Sequence, residues 1–134
     1  MSHRLAHIAL VVRDYNEAIR FYVDIMGFRL LEDIHQPEQD KRWVLVQPSG
    51  GGASILLARA SNDIQRAAIG NQTGGRVFLF LETDDLDADL TRLRSHDVRI
   101  IREPVSADYG TVAVFKDIYG NLWDLIQRPE PNIS

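Results

Sequence analysis

The sequence predicts an α+β fold of two tandem βαβββ units, in which a curled, cup-shaped mixed sheet carries its helices on the outer face. The first observation behind this prediction is an internal repeat, because the apolar run and final Asp of residues 5–14 return at residues 76–85. The second is that a helical pattern and then three extended segments follow each copy. One helix covers one face of each sheet, so we expect the opposite face to be open and concave.

Length and composition predict a single domain. The chain has 134 residues, which is enough to form one core without help from a disulfide or a metal. We place unit one at about 4–59, a polar linker at about 60–75 and unit two at about 76–128. The absence of cysteine excludes thiol catalysis. The net charge of −4 and the scattered cations argue against nucleic acid, and no signal peptide or membrane span is predicted, so we expect a cytoplasmic protein.

The first strand of unit one alternates between two faces. Ile8, Leu10 and Val12 make the more apolar face and should pack under the helix, which leaves His7 on the concave face. Asp14 is predicted to cap that helix. The remaining strands of the unit are predicted at residues 28–34, 42–47 and 53–58, with a loop at 35–41.

The second unit follows the same plan. Asp84 or Asp85 is predicted to cap its helix. Its later strands are predicted at residues 98–101, 110–116 and 121–127, with a loop at 103–109 and a tight turn at 117–120. Alternation along the first strand sends Val77, Leu79 and Leu81 under the helix and turns Phe78, Phe80 and Glu82 toward the cup.

Four segments together resemble the vicinal oxygen chelate superfamily, which includes glyoxalase I, extradiol dioxygenases, fosfomycin-resistance proteins and bleomycin-binding proteins. They are His7 to Asp14, Phe21-Tyr22 with Gly27-Phe28, Asp84 to Ala88, and Phe115 to Leu125. The resemblance extends from Leu5 to Gln127. It implies one glyoxalase-like domain over residues 1–134.

The resemblance also implies a site for a divalent metal such as iron, manganese, nickel or zinc. In that family the ligands lie on the inner face of the first and last strand of each unit. Two of these positions fall on His7 and Asp124, which are suitable ligands, and two fall on Phe78 and Leu56, which are not. Because catalytic divalent ions usually have three protein ligands, we expect the metal to be weakly bound or absent.

His7 and Asp124 therefore have three possible roles, and the sequence leaves the choice open. They can be metal ligands, completed by a neighbour such as Gln47, Glu82 or His35. They can be a buried pair that satisfies its own hydrogen bonds. They can also be a catalytic pair, in which the carboxylate orients the imidazole so that its free nitrogen accepts a substrate proton.

Further residues are candidates for contact with a small-molecule substrate: Trp43, Phe78, Phe80, Arg76, Arg102 and Tyr109. Aromatic side chains on a concave face that no helix covers are expected to line a pocket. The arginines can hold an anionic group with a bidentate fork. Tyr109 lies in a predicted loop, which is where ligand-contacting groups concentrate.

We expect a small enzyme of lyase, isomerase or dioxygenase type that acts on a partly apolar, oxygen-bearing molecule. The alternative is a non-catalytic small-molecule or drug-binding protein of the bleomycin-resistance type, which needs only an aromatic pocket. No nucleic-acid or membrane partner is expected. The resemblance implies a homodimer in which sheets from two chains complete the cups.

Overall fold

The computed structural model describes residues 1–129, which form two compact units that divide between Gln72 and Thr73. The predicted fold class is confirmed, since each unit contains a four-stranded curled mixed sheet in the order strand, helix, three strands. The strands are β1 (His7–Val12), β2 (Arg29–Gln36), β3 (Lys41–Gln47), β4 (Ser54–Arg59), β5 (Val77–Glu82), β6 (Ile100–Ala107), β7 (Gly110–Lys116) and β8 (Leu122–Gln127), and the α-helices are α1 (Tyr15–Ile19), α2 (Asp63–Ala68) and α3 (Leu86–Ser95).

The helix of unit one begins where the sequence predicts. The Asp14 carboxylate accepts a hydrogen bond from the Glu17 amide at 2.8 Å and so caps α1. A π-helical turn, Arg20–Ile25, continues the helix. The chain then leaves it at Gly27, whose φ of +79° suits glycine.

The core of unit one lies between this helical segment and the sheet, whose strand order is β1-β4-β3-β2. β1 is parallel to β4, and the other neighbours are antiparallel. Leu57 pairs with Leu10 on one side and with Val44 on the other, and all three are fully buried. Leu10 and Val12 therefore lie on the helix side of β1, as predicted.

Unit two repeats this arrangement with the strand order β5-β8-β7-β6. The Asp85 carboxylate accepts a hydrogen bond from the Ala88 amide at 3.1 Å and caps α3. Leu90 on α3 is buried, and so are Trp123 and Leu125 on β8. The helix side of β8 is thus defined by alternate apolar residues.

Residues 103–109 do not form the predicted loop. β6 continues to Ala107, and a two-residue connection, Asp108 and Tyr109, joins it to β7. Pro104 lies within this strand, which is compatible with a ladder because β6 is at the edge of its sheet. The loop predicted at 35–41 is also shorter, since β2 extends to Gln36.

A β-bulge interrupts the pairing of β5 at Phe78. The register of β5 against β8 shifts between Val77 and Leu79, so Phe78 is an extra residue without a direct partner in the ladder. Its ring meets the buried Trp123 ring edge to face, at 6.1 Å between centroids. This ring contact distinguishes Phe78 from the exposed Phe80, and the role of Phe78 as a substrate contact stays a prediction.

The segment predicted as a polar linker contains α2 and contacts unit one. The Gln72 side chain lies along the outer edge of β1, where its oxygen accepts from the Val11 amide at 3.2 Å and its nitrogen donates to the Ala9 carbonyl at 3.1 Å. These two bonds replace those of a neighbouring strand and cover part of the edge.

The tight turn before β8 is built on one buried carboxylate. Asp117 accepts hydrogen bonds from the Tyr119 amide, the Asn121 amide and the Asn121 side chain, each at 2.9 Å. Gly120 completes the turn with a φ of +102°. Among residues 1–129, no helix is long and apolar enough to span a membrane.

Gly110 is expected to be irreplaceable. It has a φ of +136°, and a Cβ atom would lie 2.4 Å from the Gln127 carbonyl oxygen. Gly110→Ala should lower the free energy of unfolding by at least about 2 kcal/mol, measured by urea denaturation. Gly50→Ala is the matched control, because no atom lies within 4 Å of its would-be Cβ, and it should change stability by less than about 0.5 kcal/mol. Equal losses of stability in the two variants would contradict the requirement for glycine at position 110.

Candidate functional site

Each sheet has one face that its helix does not cover, which we call the helix-free face. In unit one it is defined by residues that alternate with the buried ones, namely His7, Ala9 and Val11 on β1, Leu56 and Ala58 on β4, Trp43, Leu45 and Gln47 on β3, and Glu32 and Ile34 on β2. In unit two it is defined by Val77, Phe80 and Glu82 on β5, Leu122, Asp124 and Ile126 on β8, Val112, Val114 and Lys116 on β7, and Arg102 on β6.

On unit one, this face contains an aromatic pair with an acidic anchor. The His7 ring meets the Trp43 ring edge to face, at 5.9 Å between centroids. The Trp43 Nε1 atom donates a hydrogen bond of 2.7 Å to the Glu32 carboxylate. Glu32 therefore fixes the orientation of a half-buried indole whose ring faces the predicted site.

On unit two, the register aligns four residues across the whole sheet. Phe80 pairs with Asp124, Asp124 with Val114, and Val114 with Arg102. Side chains of paired residues project from the same face, so an aromatic ring, a carboxylate and a guanidinium follow one another in a row. Phe80 is 70% exposed, which is unusual for a phenylalanine on a strand.

Asp124 has an unusual electrostatic environment for a carboxylate. Within residues 73–129, its carboxylate makes neither a hydrogen bond nor an ion pair. Burial raises its pKa above the ordinary value, and the positive charge of Arg102 opposes that rise only in part. A partly desolvated carboxylate with a raised pKa is a common property of functional sites.

The remaining predicted site residues are less closely grouped. Arg76 is exposed just before β5, and Tyr109 is 57% exposed in the connection between β6 and β7. The Phe78 ring contacts the Trp123 ring, and its role as a substrate contact remains a prediction. His7 belongs to unit one and Asp124 to unit two, and their joint catalytic role remains a prediction.

The predicted metal ligands do not make a complete set. Among residues 1–129, no three His, Cys, Asp or Glu side chains are grouped closely enough to hold a metal ion. Strand pairing also corrects the repeat alignment, because the bulge gives Val77, and not Phe78, the position in β5 that His7 has in β1. Phe80 and Val114, which pair with Asp124, and Arg102, which influences its ionisation, are all unsuitable as ligands of a divalent cation.

Glu32 is a site residue that the sequence analysis missed. Its pairing with Leu45 places it on the same face as Trp43, two residues away along β3. Alternation along β2 could have identified it once the hairpin register was known. The register shifts between Leu30 and Glu32, however, and this irregularity has no clear sequence signal.

The chain belongs to the Glyoxalase/Bleomycin resistance protein/Dioxygenase superfamily, whose family model matches residues 4–125. A Shewanella frigidimarina protein is 59% identical over 95% of both chains. Human mitochondrial methylmalonyl-CoA epimerase is 30% identical over 92% of this chain and 73% of its own. Among solved structures, TnmS3, an antibiotic binding protein from Streptomyces sp. CB03234, is 33% identical, with a TM-score of 0.74 over 96% of this chain and 98% of its own.

The raised pKa of Asp124 predicts a pH-dependent gain of stability on its removal. A carboxyl group whose pKa is raised in the folded protein stabilises the fold in its protonated form. This stabilisation is fully present below the unfolded-state pKa of about 3.9 and is lost as the pH rises through the folded-state pKa. Asp124→Asn should therefore unfold about 1–3 °C higher than the native protein at pH 7. The gain should disappear near about pH 3.5, as measured by circular dichroism.

Asp33→Asn is the matched control and should have the opposite sign. Arg42 donates hydrogen bonds of 2.7 and 3.1 Å to the Asp33 carboxylate, which lowers the pKa of Asp33. That stabilisation is present above the ordinary pKa and is lost as the pH falls through the lowered one. Asp33→Asn should unfold about 1–4 °C lower than the native protein at pH 7. A loss of stability in both variants would contradict the desolvation assigned to Asp124.

Proposed function

We propose that this protein binds a small, partly apolar molecule on its helix-free faces and that binding is its function. The observation that carries the proposal is the exposed ring of Phe80 beside the Asp124 carboxylate. A large aromatic side chain exposed next to a polar group offers stacking and one directed hydrogen bond, which are the usual elements of a small-molecule site. The similarity to an antibiotic binding protein supports this choice.

Unit one supports the same proposal independently. Trp43 is half-buried, and its indole is held at one edge by the Glu32 carboxylate and at another by the His7 ring. An aromatic ring fixed in this way loses little conformational freedom when a ligand stacks on it. The helix-free face of unit one is therefore a second surface for an aromatic ligand.

Phe80→Ala should weaken the binding of a planar aromatic probe. We choose 2-naphthol, whose fluorescence reports its environment, and expect its dissociation constant to rise at least about fivefold because the stacked ring is lost. Ile64→Ala is the matched control, since it removes an apolar side chain that is 85% exposed on α2. Unchanged affinity in Phe80→Ala, or an equal loss in the control, would contradict a role for this face.

A second candidate function is proton transfer of the isomerase type. The raised pKa of Asp124 favours it, because a carboxylate in a partly desolvated place is a stronger base than one in water. The similarity to methylmalonyl-CoA epimerase suggests a substrate with an acidic C–H bond beside a carbonyl. In this candidate the C–H bond breaks, Asp124 accepts the proton, and a proton returns to the same carbon.

Deuterium exchange distinguishes the two candidates. Methylmalonyl-CoA incubated with the protein in D₂O should lose its C2 proton signal if Asp124 transfers the proton. Asp124→Asn should slow that loss at least about 100-fold. No exchange above the rate without protein would eliminate this candidate for that substrate and leave the binding function.

We also propose that the protein forms a homodimer through its edge strands. β2 and β6 are at the outer edges of their sheets, and they expose Ile34 and Val105 by 53% and 56%. Exposed apolar edge strands are stable when another chain covers them. Light scattering should give twice the chain mass of 15.2 kDa, and Ile34→Lys should return it to the monomer value, whereas Ile64→Lys on α2 should not. A monomeric native protein would contradict this proposal.

A further inference from the structure

We infer that the helix-free face of unit two selects aromatic ligands with a hydrogen-bond donor next to the ring and a carboxylate beyond it, because Phe80, Asp124 and Arg102 follow one another in that order across the sheet. This inference rests on the proposed binding function and adds the chemical class of the ligand. A benzoylated amino acid is the simplest molecule of this class.

The row is longer than a benzoylated amino acid, so the Arg102 side chain must cover the difference. Neighbouring strands are about 4.8 Å apart, so the Cα atoms of Phe80 and Arg102, three strand spacings apart, are separated by about 14 Å. The long Arg102 side chain can shorten that span toward the ligand. Val114 lies between Asp124 and Arg102 and forms an apolar floor that separates the two charged groups.

The two charged groups are available to a ligand. Within residues 73–129, Asp124 and Arg102 form neither a hydrogen bond nor an ion pair through their side chains. Glu82 on the same face differs, because its carboxylate accepts a hydrogen bond of 3.2 Å from Arg128. A carboxylate and a guanidinium that do not pair with each other can each bind a ligand group of opposite character.

The order of the charges determines the polarity of the ligand. Arg102 is close enough to influence the ionisation of Asp124, so a ligand cation placed at Asp124 would also be repelled by Arg102. A neutral N–H group satisfies Asp124 without that repulsion. A ligand carboxylate at Arg102 gains a bidentate, charge-assisted pair.

Three probes that differ by one group test this class of ligand. N-benzoylglycine has the ring, the N–H group and the carboxylate. In 3-benzoylpropionate a methylene replaces the N–H group, and N-methylbenzamide lacks the carboxylate. Native protein should bind N-benzoylglycine at least about tenfold more tightly than either analogue, as measured by NMR titration.

The variants should remove these preferences one at a time. Arg102→Gln should weaken the binding of N-benzoylglycine at least about tenfold. It should leave the binding of N-methylbenzamide unchanged, which also shows that the variant is folded. Asp124→Ala should weaken the binding of N-benzoylglycine without weakening the binding of 3-benzoylpropionate. Arg92→Gln makes the same charge change on α3, where Arg92 pairs with Asp89, and should affect none of the probes.

The possible failures are distinguishable. Equal affinity of native protein for the three probes would overturn the ligand class and leave the binding function in place. Failure of all three probes to bind would overturn both the ligand class and the binding function for this face. An equal loss in Arg92→Gln and Arg102→Gln would overturn the specific role of Arg102, because only the net charge would then matter.

Discussion

The packing of Trp123 and Leu125 on the helix side of β8 fixes the direction of Asp124. Successive side chains of a strand point to opposite faces, so a residue between two buried apolar residues must face the other way. Leu10 and Val12 impose the same constraint on β1 and so determine the face on which His7 lies. A register slip of one residue in either strand would bury the polar group and expose the core, which is why the site and the core are specified together.

Much of the fold could be predicted from the sequence because its determinants are local. Apolar alternation identified the buried face of β1. Asp14 marked the start of α1, and the pair Asp84 and Asp85 marked the start of α3, where the structure selects Asp85 as the cap. The turn at Asp117 was equally clear, because an Asp followed three residues later by Gly is typical of a tight turn. Each of these signals lies within a few residues of the structure that it determines.

The errors concern features that depend on neighbouring strands. A loop was predicted at residues 103–109, yet β6 extends to Ala107, and its edge position lets that strand contain Pro104. Strict alternation along β5 also missed the bulge that gives this strand one extra residue at Phe78, whose ring contacts Trp123. The role of Glu32 depends on the irregular register between β2 and β3. None of these tertiary relations has a sequence signal of its own.

On unit two, the proposed chemistry of the helix-free face follows from Asp124 and Arg102, whose side chains form neither a hydrogen bond nor an ion pair within residues 73–129. Fold membership alone does not choose between binding and catalysis, since the superfamily relatives include an epimerase and an antibiotic binding protein. The choice for binding rests on exposed or half-exposed aromatic rings next to carboxylates, seen with Phe80 and with Trp43. The same carboxylate at position 124 would be the base if proton transfer were the function.

The most direct measurement of the central claim is the location of an aromatic ligand on the protein. Amide chemical shifts recorded during a titration with 2-naphthol report which strands or helices the ligand contacts. If the ligand binds on the helix-free face, the largest chemical-shift changes should occur in β8 around Asp124 and in β5 around Phe80. Changes confined to α3 and the helix side, or no saturable change, would contradict the account.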